Sequence, residues 1–119
     1  KMVFELSNLS IWKYNIQEME KVKILRYENG GKYKWHTDCG AKETSTRKLT
    51  AIIQLSDETL YEGGNLEFGI TDKSGKNYTA PRTRGSIIIF PAFLSHRVTP
   101  ITKGRRYSLI TWMNGDCFV

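Results

Sequence analysis

From Lys21 onward, apolar and polar residues alternate in short runs separated by glycine-rich turns, the period-two pattern of half-buried β-strands. The runs are "KVKILRYE" (21–28), "KYKWHTD" (32–38), "KLTAIIQLS" (48–56), "NLEFGI" (65–70), "NYTA" (77–80), "SIIIFP" (86–91), "SHRVTPI" (95–101) and "RRYSLITWM" (105–113). Asn29-Gly30-Gly31 reads as a hairpin turn between the first two, and Glu62-Gly63-Gly64 as a turn before "NLEFGI". Gly75, Gly85 and Gly104 mark further turns. The pattern over Ile16 to Glu20 instead fits a short amphipathic helix. About eight strands at this spacing predict an all-β fold with at most a short N-terminal helix, specifically a jelly roll or double-stranded β-helix.

The chain has 119 residues, with 39% hydrophobic and 25% charged. There is no repeat, low-complexity stretch or linker, so residues 1–119 are expected to form a single domain with one core. No apolar run approaches the roughly 20 residues that a membrane span needs. The opening "KMVFELSNLS" lacks the basic-then-apolar order of a signal peptide, so cytoplasmic residence is expected. Cys39 and Cys117 match no zinc spacing and read as reduced thiols. The net charge of +6 favours anionic partners, but the basic residues are scattered and form no dense arm.

Candidate chemistry begins at His36-Thr37-Asp38. Side chains two apart on a strand share a face, so His36 and Asp38 can both reach into a barrel mouth. The remaining histidine, His96, follows Asp38 by 58 residues, at the start of another strand. Two imidazoles and one carboxylate with open positions suit a non-haem Fe(II) site better than structural zinc or a hard-ion cage. Ten residues after His96 comes Arg106, sharing a strand face with Ser108. A guanidinium fork matches a carboxylate, so the pair could hold the far end of a dicarboxylate whose near end meets the metal.

The string "YENGGKYKWHTD" fits Y-x-x-G-x-x-Y-x-x-H-x-D through Tyr27, Gly30, Tyr33, His36 and Asp38. It continues in "EGGNLEF" and in "GSIIIFPAFLSHRVTPITKGRRYSLITW". In these features, over roughly residues 22 to 115, the chain resembles the Fe(II)/2-oxoglutarate-dependent dioxygenases, and within them the prolyl-4-hydroxylase-like branch. The resemblance implies that His36, Asp38 and His96 bind Fe(II) and that Arg106 binds the distal carboxylate of 2-oxoglutarate. It places Tyr27 and Ser108 as further co-substrate contacts. Thr50, Ile52 and Gln54 fall on the strand that lines the co-substrate pocket, with Gln54 where many relatives carry an aromatic residue.

The activity implied is hydroxylation of a C–H bond, with release of succinate and CO2. The substrate to which this branch points is a prolyl residue in a peptide or protein, and ascorbate is a candidate supporting reductant. Another amino-acid side chain, a small molecule or an alkylated nucleic acid would use the same chemistry. Nucleic acid is disfavoured, because Trp112 stands where the demethylases of the superfamily carry a second arginine. A non-catalytic jelly-roll binding module would be expected to have lost a triad member, and all three are present. Tyr33, Trp35 and Trp112 read as packing residues, with Trp112 also a candidate for the substrate mouth, and alternation turns Arg97 away from the metal. Two departures stand out: the family's N-terminal helices are short or missing, and the loop "CGAKETSTR" is brief and polar. Oligomeric state is left open.

Overall fold

The computed structural model describes residues 16–41 and 44–116. Ten strands are described: β1 (Ile16–Met19), β2 (Lys23–Glu28), β3 (Tyr33–His36), β4 (Arg47–Gln54), β5 (Tyr61–Gly63), β6 (Leu66–Thr71), β7 (Asn77–Thr79), β8 (Ile87–Pro91), β9 (His96–Val98) and β10 (Ile101–Gly115). One sheet runs β1-β10-β4-β8, with β2 and β5 also paired to β10; the other runs β3-β9-β6-β7. All pairings are antiparallel, and the two sheets wrap around one cavity, giving the expected double-stranded β-helix.

The core between the sheets contains Ile52, Leu66, Phe90, Val98, Ile101 and Ile110. Leu66 is 1% exposed, and its truncation to alanine is expected to cost about 2–5 kcal/mol. A smaller cluster of Leu49, Ala51 and Met113, flanked by Ile16 and Ile89, covers the opposite face of the larger sheet.

Four local expectations are corrected. Ile16 to Glu20 is not a helix: Ile16–Met19 is β1, paired with the end of β10 through Ile16–Gly115 and Met19–Met113. The good helix formers Gln17, Glu18 and Met19 are overridden because so short an uncapped helix cannot nucleate, whereas the sheet supplies ladder partners at once. Asn29-Gly30-Gly31 turns the chain, with Asn29 and Gly30 at positive φ, but it closes no hairpin. β2 belongs to one sheet and β3 to the other. The turn hands the chain across by docking on Ile101, through Gly30 N–H to Ile101 O and Ile101 N–H to Gly31 O.

Gly104, expected to be a turn, lies inside one continuous 15-residue strand. Its φ is +74, and a Cβ there would stand 2.1 Å from Leu60 O, so glycine permits the close crossing with β5. Glu62 and Gly63, expected within a turn, belong to β5. The expected shortage of N-terminal helical support and the thiol of Cys117 fall on residues outside those described. Among the described residues, no helix is long and apolar enough to cross a membrane.

Candidate metal centre and carboxylate pocket

Register builds one wall of the cavity. β10 lies between β2 and β4, placing Arg106 opposite Tyr27, Ser108 opposite Leu25 and Gln54, and Trp112 opposite Thr50. Because alternate residues share a face, Lys23, Leu25 and Tyr27 of β2 point inward beside Arg106, Ser108, Ile110 and Trp112 of β10. All of them line a cavity of about 520 Å³ that also contains His36, Asp38 and His96.

At one end are the three side chains picked out from the sequence. His36 is the last residue of β3, and His96 is the first of β9, paired with it in register. Asp38 is beyond the strand, so it reaches the cavity through a loop rather than by strand alternation. Its N–H donates to Ala92 O at 2.8 Å. His36 Nε2 is 3.3 Å from Asp38 Oδ1, and His96 Nε2 is 3.3 Å from Asp38 Oδ2. Among the described residues these three form the one group of potential ligands close enough to share a metal ion, with ligand atoms within 4.8 Å of one another.

The hydrogen bonds around this group show why a cation fits. His36 Nδ1 is 2.6 Å from Lys34 O, and His96 Nδ1 is 2.8 Å from Leu94 O. A carbonyl oxygen accepts, so each Nδ1 stands as the donor, and Nε2 of both rings is turned toward Asp38. Two ring nitrogens and a carboxylate thus converge on one point, the donor set that a metal ion takes.

Burial pulls the pKa of His36 down, reinforced by His96 and opposed by Lys34 O, which keeps the ring neutral. For Asp38 burial pushes upward, but His96, Thr50 and Trp112 outweigh it and hold the carboxyl below its usual range. Thr50 donates to Asp38 Oδ2 at 2.7 Å. That bond occupies one oxygen and leaves Oδ1 as the freer ligand.

Arg106 sits at the other end, 1% exposed. Among the described residues it pairs with no carboxylate. Gln54 Oε1 accepts from its Nε at 3.2 Å and its Nη2 at 3.0 Å. Gln54 is fixed in turn through Nε2 to Pro81 O. The guanidinium lies 5.3 Å from the Tyr27 ring centroid. Burial pulls the Arg106 pKa down, while Tyr27 and Tyr61 act the other way, and burial pushes the Tyr27 hydroxyl up. Ser108, 1% exposed, is two residues along the same inward row. A buried cation compensated by one amide oxygen and nearby phenols is a demand for an anionic ligand.

Several contributors were not legible in the chain. Tyr61, 4% exposed, presents a buried hydroxyl without a hydrogen bond of ordinary geometry on the Arg106 side. The indole N–H of Trp112 is in the same condition on the Asp38 side. Arg82 secures the β5–β6 turn, donating to Gly63 O and Asn65 Oδ1 at 2.6 Å and to Tyr61 O at 3.0 Å. Gly63-Gly64 was the available signal. Both have positive φ, and a Cβ on Gly64 would stand 3.2 Å from Arg106 Cδ, so the turn closes against the arginine stem. Tyr33, expected to be packing, stacks on His36 with centroids 3.7 Å apart. Trp112 belongs to the core cluster as expected and also lines the cavity, under the Arg47 guanidinium, 3.8 Å from its ring. Arg97 turns away from the metal group and pairs with Glu67, as alternation predicts.

Comparison with known proteins adds to this geometry. Residues 22–114 match the 2OG-Fe(II) oxygenase superfamily. A PKHD-type hydroxylase of Synechococcus sp. (strain CC9311) is 28% identical over 120 residues, covering 95% of this chain and 53% of its own length. A Pseudomonas putida prolyl-4-hydroxylase has the same fold, with a TM-score of 0.79 and 20% identity over 97% of this chain and 62% of that one. A prolyl hydroxylase from Trichoplax adhaerens, solved with a hypoxia inducible factor oxygen degradation domain peptide fragment, gives a TM-score of 0.74 at 18% identity, over 95% of this chain and 51% of that one. The chain spans about half the length of the curated relatives it matches.

Proposed function

Because this chain belongs to the 2OG-Fe(II) oxygenase superfamily, we propose that it hydroxylates a C–H bond of a prolyl residue in a peptide or protein, converting 2-oxoglutarate to succinate and CO2. One observation carries the reading: a buried, carboxylate-free Arg106 shares a cavity with the His36, Asp38 and His96 cluster. The two ends complement the two ends of 2-oxoglutarate. The prolyl substrate is supported by the named relatives and fold neighbours.

His36, Asp38 and His96 would hold Fe(II), which supplies dioxygen activation coupled to oxidative decarboxylation when bound. The residues do the rest. Arg106 receives the distal carboxylate in a charge-assisted pair within a cavity that excludes bulk water. Gln54 holds the guanidinium plane, while Tyr27 and Ser108 offer hydroxyls beside it. Thr50 keeps one oxygen of Asp38 engaged, so the carboxylate presents a single ligand atom and positions stay open for the co-substrate and oxygen. Ile52, Ile110 and Leu66 form the apolar walls between the two ends.

The test is succinate release dependent on Fe(II) and 2-oxoglutarate, with and without ascorbate, using proline-containing peptides read by mass spectrometry for gain of one oxygen. The reading is overturned if 2-oxoglutarate turnover is absent with every peptide, or persists unchanged in Asp38→Ala.

A further inference from the structure

A second groove, of about 380 Å³, opens beside the catalytic cavity and shares Tyr33 and Val98 with it. β3 is the outer strand of its sheet, and between the Tyr33–Val98 and His36–His96 pairs two residues of β3, Lys34 and Trp35, stand against the single Arg97 of β9. That bulge lets Tyr33 lie against His36 and still border the second groove. The lining continues through Lys32, Lys34, Trp35 and Arg97. Tyr33 is 50% exposed and Trp35 41% exposed, two large rings presented to solvent among lysines. Lysines on an outer strand guard against edge-to-edge pairing. That accounts for Lys32 and Lys34; Tyr33 lies on His36 and Trp35 under the Arg97 guanidinium, 4.8 Å from its ring centroid, yet much of both rings is left to solvent.

The charges there are unbalanced. Arg47 is paired with Glu20 and Arg97 with Glu67. Among the described residues no carboxylate pairs with Lys32 or Lys34. Asp38, committed to the metal group, is the sole carboxylate in the lining of either cavity.

We propose that this groove is a docking site for an acidic segment of the substrate. The chain would leave the catalytic cavity over Tyr33, place an aspartate or glutamate flanking the modified residue near Lys32 and Lys34, and rest an apolar side chain on Trp35. This rests on the peptide-hydroxylase reading above. Two lysines that no carboxylate among the described residues pairs, and two rings, match one or two carboxylates on a peptide. A phosphate backbone is followed by a longer basic track, which this surface lacks.

Fluorescence anisotropy on the full chain tests it, using one proline-centred peptide with Glu, Gln or Lys flanks. The Glu-flanked peptide is expected to bind roughly three- to tenfold more tightly than the Gln-flanked one, the preference shrinking with salt. Lys32→Glu with Lys34→Glu should reverse the order. Lys73→Glu with Lys76→Glu, which changes net charge equally at the remote β6–β7 turn, should preserve it. Flank-independent affinity overturns the proposal, as does equal loss in both double variants, or displacement of the Glu-flanked peptide by a single-stranded oligonucleotide at lower concentration. Mass spectrometry on the same peptides separates the two readings. Flank preference without oxygen gain in any peptide retains the groove and defeats the hydroxylase reading; oxygen gain with equal affinities does the reverse.

Discussion

The two ends of the catalytic cavity are built by different means. At the Arg106 end the anchoring groups stand on strands in unbroken register: Tyr27 on β2, Gln54 on β4, Arg106 and Ser108 on β10. At the metal end His36 closes β3, His96 opens β9, and Asp38 lies in a loop tied by its N–H to Ala92 and by its carboxylate to Thr50. The first end is positioned by the pleat of a sheet, the second by a few hydrogen bonds at strand termini. The placement of Arg106 is therefore a rigid property of the fold, while the geometry of the His36, Asp38 and His96 group depends on individual side chains.

Substitutions should separate the two. The largest effect is expected from His36→Ala or Asp38→Ala, which remove a ligand: Co(II) binding by calorimetry and 2-oxoglutarate turnover should both fall to background. Next is Arg106→Met. Loss of a buried charged partner costs roughly 2–5 kcal/mol, on the order of a hundredfold or more in the 2-oxoglutarate KM. Without co-substrate the variant should melt at the same or a higher temperature, because an uncompensated buried cation has been removed. A marked drop in that Tm would contradict the view that Arg106 awaits an anion.

Thr50→Val keeps the shape and deletes the hydroxyl on Asp38. Metal affinity should weaken about 10- to 100-fold, with Thr50→Ser restoring it and the Arg106 end unaffected. Gln54→Leu acts on the opposite end. Arg106 loses its acceptor, stability falls by about 1–3 kcal/mol in denaturant unfolding, and added 2-oxoglutarate should recover more of it than in the parent chain.

The smallest effect concerns Glu20, outside both ends, whose carboxylate accepts from Arg47 and Asn114. The Arg47 hydrogen bond is the chief cause of its lowered pKa, with Asn114 adding to it against the opposing effect of burial. A depressed carboxyl pKa stabilises the fold above the unfolded value of 4.5 and is lost as pH falls through the lower folded one. Glu20→Gln should therefore cost on the order of 1 kcal/mol at neutral pH, and the gap should close in acid.

Much of this was legible in the chain, for definite physical reasons. Period-two patterning exposed the strands because their sheets bury one face, and fixed distances along the chain brought His36, Asp38, His96 and Arg106 to notice. Partner choice was not legible. "NGG" carries the backbone signature of a hairpin, yet which strand each arm joins is decided by tertiary pairing. The helical reading of Ile16 to Glu20 failed likewise, since propensity cannot see the free edge of β10. The H-x-D argument put Asp38 in the right place on the wrong grounds, because the strand ends at His36. Arg82 and Tyr61 carry no local pattern; they matter through contacts made across the turn at Gly63-Gly64.

β10 has a further consequence. Its inward row advances about 6.6 Å for every second residue, so Arg106 and Trp112 are separated by a fixed span of about 20 Å. The strand works as a ruler with coarse graduations. A keto acid longer by one methylene differs by roughly 1.3 Å, far less than one graduation. No shift of the arginine along β10 can accommodate it, and a one-residue slip would turn Tyr107 inward instead. The place of Arg106 along the cavity is thus written into the pitch of the backbone, and retuning it would require new side chains at the same marks.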